Sequence, residues 1–231
     1  MTAIEDSVVL VTGANRGLGA AIVTALRERG AGTVYAAARN PDTITDPSAV
    51  PVQLDVTDQD SVDNAARRCG DVTILINNAG VARSGPVVTL AGATDEILTN
   101  YLGTLRVSLA FAPVLGANGG GAIASVLSVA SFVSRPPLVT YSASKAAEWQ
   151  LMNGLRQQLK PQGTRITSVH VGFIDTELAA EFADAPKHSA RDVAHAIVTA
   201  VDAGDDELLF DEFTRVTRRA LAEDLSVLYP G

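Results

Sequence analysis

Tyr141 and Lys145 stand four residues apart in the run Tyr141-Ser-Ala-Ser-Lys145. On a helix that spacing places both side chains on one face a single turn apart, where they can touch the same small molecule. A phenol with its ordinary pKa of about 10 exchanges protons poorly at neutral pH, and an ammonium beside it stabilises the phenolate. The pair is therefore a candidate proton-transfer unit. A nearby hydroxyl is offered by Ser128, which follows the apolar run 122–127, with Ser125, Ser131 and Ser134 as alternatives. A second kind of chemistry is suggested near the N-terminus, where Thr12-Gly13-Ala-Asn-Arg-Gly17-Leu-Gly19 follows one apolar run and opens a helical pattern. That is the context a phosphate-cradling turn requires. Gly13 permits a tight turn, Gly17 close approach of backbone to a pyrophosphate, and Gly19 close helix packing, while the first N–H groups of the helix attract the anion. Taken singly, each motif leaves a plain alternative open: a surface tyrosine beside a lysine, or a glycine turn that binds nothing.

The elements that must position these groups follow from hydrophobic periodicity. Short apolar runs at 7–12, 33–38, 50–55, 74–77, 122–127, 165–171 and 207–210 alternate with helical patterns. Leu18, Ala21, Ile22, Ala25 and Leu26 form one such stripe, and Val62, Ala65, Ala66 and Cys69 another. Longer helices are predicted over 94–115 and 141–160, and one over 192–203 opened by Ser189. Gly119-Gly-Gly121 breaks the pattern before the fifth run, and Pro136-Pro137 falls in the loop ahead of Tyr141. The alternation predicts an α/β fold, a doubly wound and mainly parallel sheet of about seven strands with helices on both faces.

Composition narrows the functions available. With 231 residues, 47% of them hydrophobic, the chain has material for one domain spanning 1–231 with a sizeable core. Its net charge of −8 repels the phosphate backbone of nucleic acids. Cys69 is the only cysteine, so neither an internal disulfide nor a cysteine-based metal cluster can form, and it reads as a half-buried small apolar residue. His170, His188 and His195 lack metal-ligand spacing and read as structural or exposed. Acidic residues stand where a secretory signal is basic, and no apolar stretch reaches about 18 residues, so a soluble, cytoplasmic protein is expected, with no membrane partner.

The glycine spacing Gly-x3-Gly-x-Gly resembles that of the short-chain dehydrogenase/reductase family, and the resemblance recurs along most of the chain. Leu54-Asp55-Val56, Asn77-Asn78-Ala79-Gly80, Ser128 and Tyr141-x3-Lys145 follow in that family's order. It implies a Rossmann-type fold binding a dinucleotide through Gly13, Asn15, Arg16, Gly17, Leu18 and Gly19, with Asp55 and Val56 at the adenine and Asn78, Ala79 and Gly80 on the adenosine side. It also prefers Ser128, thirteen residues before Tyr141, over the neighbouring serines. Asn100 then completes a tetrad with Ser128, Tyr141 and Lys145, helping to hold a water that links the lysine to solvent.

Cofactor choice depends on the end of the second strand, where an acid accepts hydrogen bonds from the ribose 2′-OH of NAD. Here that position is Ala38, followed by Arg39, and Arg16 lies in the glycine turn. Two guanidiniums suit a 2′-phosphate, so NADP(H) is expected. The implied reaction is hydride transfer between nicotinamide and a carbonyl or secondary alcohol, with Tyr141 as general acid/base, Lys145 tuning it and holding the nicotinamide ribose, and Ser128 orienting the carbonyl. Val171-Gly-Phe-Ile174-Asp-Thr176 is similar to the family's PGxxxT segment, whose matching positions contact the nicotinamide carboxamide; Val171 replaces its proline, which adds an N–H and backbone freedom. Residues 177–190 make a small substrate cap that suggests an open pocket, with Phe132, Phe173 and Phe182 either lining it or simply packing. Trp149 either extends the active face or meets a partner helix. The family's helices matching 94–115 and 141–160 form oligomer interfaces, which implies a homodimer or homotetramer. A nucleotide-binding but non-catalytic redox sensor is the first alternative, though its broken tetrad is not seen. An epimerase or dehydratase is the second, and both chain length and glycine spacing argue against it.

Overall fold

The computed structural model describes residues 3–83, 85 and 87–229. Seven strands form one sheet in the order β3-β2-β1-β4-β5-β6-β7. They are β1 (Val8–Thr12), β2 (Thr33–Ala38), β3 (Val50–Gln53), β4 (Ile74–Asn77), β5 (Ala122–Val126), β6 (Arg165–His170) and β7 (Glu207–Leu209). Every pairing is parallel. A parallel sheet is covered on both faces, so its strands read as nearly continuous apolar runs. Here Val9, Val11, Ile74 and Ile76 face α1 (Gly17–Glu28) and α6 (Ala190–Ala203), while Leu10, Leu75 and Ile123 face α2 (Gln59–Arg68), α4 (Leu102–Ala117) and α5 (Val139–Leu159). Each fully buried Ile or Leu contributes about 1.5–3 kcal/mol relative to exposure, and Leu10, Ile22, Ile74, Leu75, Ile76 and Ile123 are among the largest of them.

Local chemistry sets the helix ends, at Ser189 as predicted. Gly30 adopts φ +90 just beyond α1, and the Ser189 hydroxyl accepts the Asp192 N–H to open α6. Three elements differ from expectation. The helical stretch predicted from 94 begins earlier as α3 (Leu90–Glu96), capped by Thr89, and passes through a π turn over Ile97–Tyr101 before α4. Two further helices, α7 (Glu212–Ala220) and α8 (Leu225–Leu228), follow β7. On α7 the apolar stripe is inverted: Thr214, Thr217 and Ala220 are buried, while Phe213 and Val216 are about half exposed. Cys69 is fully buried, not half-buried, because it joins the core under α2, and burial pushes its thiol up to about 11. Among the described residues no helix is long and apolar enough to cross a membrane.

Candidate active site

The chain runs outward from β1 through β2 to β3, then returns to place β4 on the other side of β1. In open parallel sheets the crevice at such a reversal, beyond the carboxyl ends of the strands, is where ligands bind. The glycine turn leaves β1 there and the 78–80 turn leaves β4. The two are in contact: a Cβ at Gly13, whose φ is +63, would lie 3.0 Å from the Ala79 Cα. The Asn78 amide donates to the carbonyls of Thr12 and Gly13 at 2.9 and 3.1 Å, and the Thr12 hydroxyl accepts the N–H groups of Asn78 and Ala79, both at 3.0 Å. A Cβ at Gly19 would meet the Gly13 carbonyl oxygen at 2.1 Å, so α1 can seat on the turn only with glycine at that position. No side chain caps the start of α1 after the extended Arg16, which leaves its first N–H groups for an anion. Asn15 is half-buried and Leu18 buried within this turn.

Around this crevice stand the residues expected at the ribose and adenine. Arg16 is exposed and ion-paired with Glu177. Arg39 is exposed and, among the described residues, has no hydrogen-bond or ion-pair partner. Ala38 is buried and its carbonyl accepts the Leu54 N–H at 2.9 Å. The half-buried Asp55 carboxylate accepts the backbone and hydroxyl of Thr57 at 2.9 and 2.7 Å, and Val56 is buried against Gly103 of α4.

At the far side of the cleft, Tyr141 and Lys145 share the first turns of α5. The Tyr141 phenol is raised from its usual value by burial; Lys145 and a side-chain hydrogen bond with Ser128 pull it down, while Glu148 and Glu96 push it up. Lys145 does lower the phenol as expected, but burial outweighs it. The Ser128 hydroxyl accepts the Ala130 N–H at 3.1 Å, starting a short 3-10 turn. The Lys145 ammonium donates to the Val126 carbonyl at 2.8 Å and to Glu148 Oε2 at 2.7 Å. Asn100 lies in the π turn and is fully buried. Its side chain accepts the Val81 N–H at 2.8 Å and donates to the Val81 carbonyl and to Ser144 Oγ, both at 2.9 Å. Ser144 in turn donates to the Tyr141 carbonyl at 2.7 Å. A π turn inserts one extra residue into the helical repeat, and here it turns the Asn100 amide onto Val81 much as the edge of a neighbouring strand would. Gly80 joins the two ends: a Cβ there would lie 3.3 Å from Asn100 Oδ1 and 3.8 Å from Lys145 Nζ.

A sequence model of the short chain dehydrogenase family matches residues 7–187. An uncharacterized oxidoreductase of Staphylococcus aureus (strain N315) is 32% identical over 218 residues, which cover 87% of this chain and 93% of that protein. The crystal structure of a short chain dehydrogenase from Burkholderia cenocepacia J2315 in complex with NADP is 41% identical and superposes with a TM-score of 0.93 over 98% of this chain and 97% of that one. The chain belongs to the short-chain dehydrogenase family. A short-chain dehydrogenase from Streptomyces avermitilis is more distant, 27% identical with a TM-score of 0.82 over 95% of this chain and 96% of that one. The protein is thus an oxidoreductase of this family with the family's Rossmann-type fold.

Several features of this short-chain dehydrogenase's cleft are absent from its motifs. The backbone freedom expected from Val171 is taken up by its surroundings. Asp211, the N-cap of α7, accepts the Gly172 N–H at 2.8 Å. Asp175 N–H donates to the His188 carbonyl at 2.9 Å, and His188 N–H to the Phe173 carbonyl at 2.8 Å. Ile174 and Thr176 are thereby held half-buried, with Thr176 close enough to the glycine turn that a Cβ on Gly17 would lie 3.2 Å from its Cγ2. Phe132 packs in the interior, stacked 4.2 Å from His170 and edge-on to Trp149 at 4.9 Å. Trp149 is therefore committed to that cluster. Phe173 and Phe182 pair at 4.7 Å across the 177–190 segment. His170 is wholly buried, its Nδ1 2.8 Å from Ser131 Oγ, and burial holds its imidazole down to about 3. Of the four candidate serines, Ser125 is committed to Glu148 at 2.8 Å, Ser131 to His170, and the Ser134 N–H donates to the Tyr229 hydroxyl. Sequence reasoning passed over Thr12, Glu96, Ser144 and Glu148. For Thr12 the signal was its place at the head of the glycine turn. Among the described residues no cluster of three or more His, Cys, Asp or Glu has the arrangement of a metal site.

Proposed function

We propose that this chain is an NADP(H)-dependent oxidoreductase acting on a carbonyl or secondary alcohol, with Tyr141 as the proton-transfer residue and Asn100, Ser128 and Lys145 completing the site. The observation that carries the reading is that Ser128 and Lys145 meet at Tyr141 while Gly80, beside the Lys145 ammonium, ends the 78–80 turn that packs on the glycine turn. The residues present fit the dinucleotide. The uncapped start of α1 suits a pyrophosphate, and the missing side chain at Gly80 leaves room beside the Lys145 ammonium. Asp55, Val56, Asn78 and Ala79 border the crevice on the adenosine side, and Ile174 and Thr176 stand at its mouth. Arg16 and Arg39 suit a 2′-phosphate, and no carboxylate occupies position 38 to repel it. Arg16 gives up Glu177 at little cost, since exposed ion pairs contribute about 0–1 kcal/mol. The NADP bound by the Burkholderia cenocepacia relative supports this choice.

When bound, the cofactor supplies or accepts the hydride. The protein's part is proton delivery and orientation. Burial keeps the Tyr141 phenol protonated at neutral pH, so it acts as the acid in carbonyl reduction, giving its proton to the developing alkoxide. Ser128 Oγ accepts the Ala130 N–H and its hydroxyl lies within hydrogen-bond reach of Tyr141, so a carbonyl oxygen seated beside the phenol can take the serine's one proton. Lys145 uses two of its three N–H groups on Val126 and Glu148, and the third has no protein partner among the described residues. Asn100 fixes the segment after Gly80 and the first turn of α5. The 177–190 segment caps the substrate in an open pocket. The same reading makes the protein a cytoplasmic homodimer or homotetramer joined through α4 and α5, which equilibrium sedimentation tests.

The deciding experiment measures NADPH oxidation with a panel of aldehydes, ketones and diketones, and NADP+ reduction with secondary alcohols, each repeated with NADH or NAD+. Turnover with higher kcat/KM for NADPH is expected. A preference for NADH sinks the cofactor assignment, and NADPH binding without turnover across the panel favours the non-catalytic sensor.

A further inference from the structure

One buried acid in the site has so far entered only as a partner of Lys145. Glu148 lies three residues after Lys145 on α5 and is 1% exposed. Its Oε2 accepts the Lys145 ammonium at 2.7 Å, and its Oε1 accepts the hydroxyls of Ser125 on β5 and Thr104 on α4, at 2.8 and 3.1 Å. A carboxylate taken this far out of water is retained in its charged form only when paired and hydrogen-bonded, and here both oxygens are satisfied from three elements.

Resting on the functional reading above, we propose that Glu148 is a positioning residue of the active site. Its carboxylate, anchored by Ser125 and Thr104, fixes the Lys145 ammonium so that one N–H is left on the Gly80 side, and its charge offsets that of the lysine at Tyr141. An ammonium has three N–H groups; Val126 and Glu148 take two, and a Cβ on Gly80 would lie 3.8 Å from the Lys145 Nζ. The Lys145–Glu148 pair is neutral as a unit, so Tyr141 meets a nearby cation backed by an anion one step further away. The groups around the phenol are Lys145 and Glu148 on its own helix, Glu96 at the end of α3 and the Ser128 hydroxyl. His170 on β6 lies behind Ser128 and Lys145 and is uncharged at neutral pH. Glu148 opposes the lysine at Tyr141 and favours the charged form of Lys145 itself. A surface ion pair at this helical spacing would do neither, because water would screen it.

The test needs no cofactor or substrate. Phenolate absorbance is titrated in the cofactor-free protein, and the contribution of Tyr141 is isolated by subtracting the same titration of Tyr141→Phe. Glu148→Gln keeps the shape and an acceptor for Lys145 but removes the charge, so the Tyr141 midpoint is expected to fall by about one pH unit. Glu148→Asp keeps the charge, and its midpoint is expected to stay with the wild type. An unchanged or higher midpoint in Glu148→Gln overturns the proposal, as does a fall of equal size in Glu148→Asp. If Glu148→Gln does not fold, Lys145→Met is compared with Lys145→Met/Glu148→Gln, in which the pair is removed as a unit. The single variant is expected to titrate higher than the double, and coincident midpoints overturn the proposal. Because these titrations read only the phenol, they can fail while Tyr141→Phe still abolishes turnover, and they can succeed if Tyr141→Phe retains it.

Discussion

At the β1–β4 crevice each hydrogen bond joins one of two side chains, Thr12 or Asn78, to the main chain. Thr12 and Gly13 offer carbonyls to Asn78, Asn78 and Ala79 offer N–H groups to Thr12, and the start of α1 is left uncapped, while the two arginines outside it are exposed. Across Gly80 the amide of Asn100, the ammonium of Lys145 and the carboxylate of Glu148 are buried and linked, beyond their main-chain contacts, to other side chains: Asn100 to Ser144, Lys145 to Glu148, and Glu148 to Ser125 and Thr104. A backbone cradle accepts any anion of the right shape, and water fills its donors until one arrives. Buried side-chain networks behave differently, since each member left unpaired costs the full desolvation of its partner. Side chains that face the open crevice should therefore tolerate substitution better than those buried across Gly80.

The largest effect expected is at Tyr141. Tyr141→Phe should lower kcat/KM by about 10²–10⁴ with NADPH affinity, measured by fluorescence titration, unchanged. Turnover close to that of the wild type would break the contrast at its centre.

Acid comes next. His170 supports Ser128 from behind and is neutral when folded, held down to about 3, whereas an unfolded histidine titrates at about 6.5. Below that value the unfolded chain binds the extra proton and the folded one does not, so stability is lost as pH falls from about 6.5 towards 3, by at most about 1.4 kcal/mol per pH unit from this residue. Urea midpoints at descending pH should drop more steeply for the wild type than for His170→Gln. Parallel curves would show that His170 has no such role.

The two asparagines sharpen the contrast further. Asn100→Ala strands both polar groups of Val81 in the interior and should cost about 1–3 kcal/mol in urea unfolding. Asn78→Ala uncovers carbonyls beside the open crevice, where water replaces the amide, and should cost less. Equal losses would mean that the nucleotide end is as rigidly built as the other.

Smallest are the arginines. Arg16→Ala and Arg39→Ala should each reduce the kcat/KM preference for NADPH over NADH by about tenfold while leaving kcat alone. Glu177→Gln, which frees Arg16 from an exposed pair, should raise NADPH affinity by no more than about fivefold. A fall in kcat in either arginine variant would count against their assignment to the 2′-phosphate.

How much of this could be read from the residues depended on whether burial left a trace in residue type. The strands did, because β1, β2 and β4 are buried on both faces and carry little but apolar side chains; β2 and β4 fall on the predicted residues, and β1 begins one residue later. The helices that pack apolar stripes were also legible, down to the Ser189 cap of α6. α7 was not, because its buried face is threonine and its exposed face holds Phe213 and Val216, the reverse of the pattern that signals a helix. Ser128, Tyr141, Lys145 and Asn100 were legible as a spaced set through a family resemblance, without which Tyr141 and Lys145 are any tyrosine and lysine. Glu148 left no trace, since an acid three residues after a lysine reads as a solvated pair, and only tertiary packing by α4 and β5 turns it into a buried one. The π turn that swings Asn100 onto Val81 likewise has no residue signature.

The hydrogen bond from Gly172 to Asp211 has a consequence for how this protein can diverge. The family match ends at residue 187, yet the turn after β6, which carries Ile174 and Thr176 to the mouth of the cleft, is fastened to a carboxylate 39 positions further on. Changes in α7 therefore have a mechanical route to this turn, and so to Thr176 beside Gly17, that runs outside the residues the family match covers.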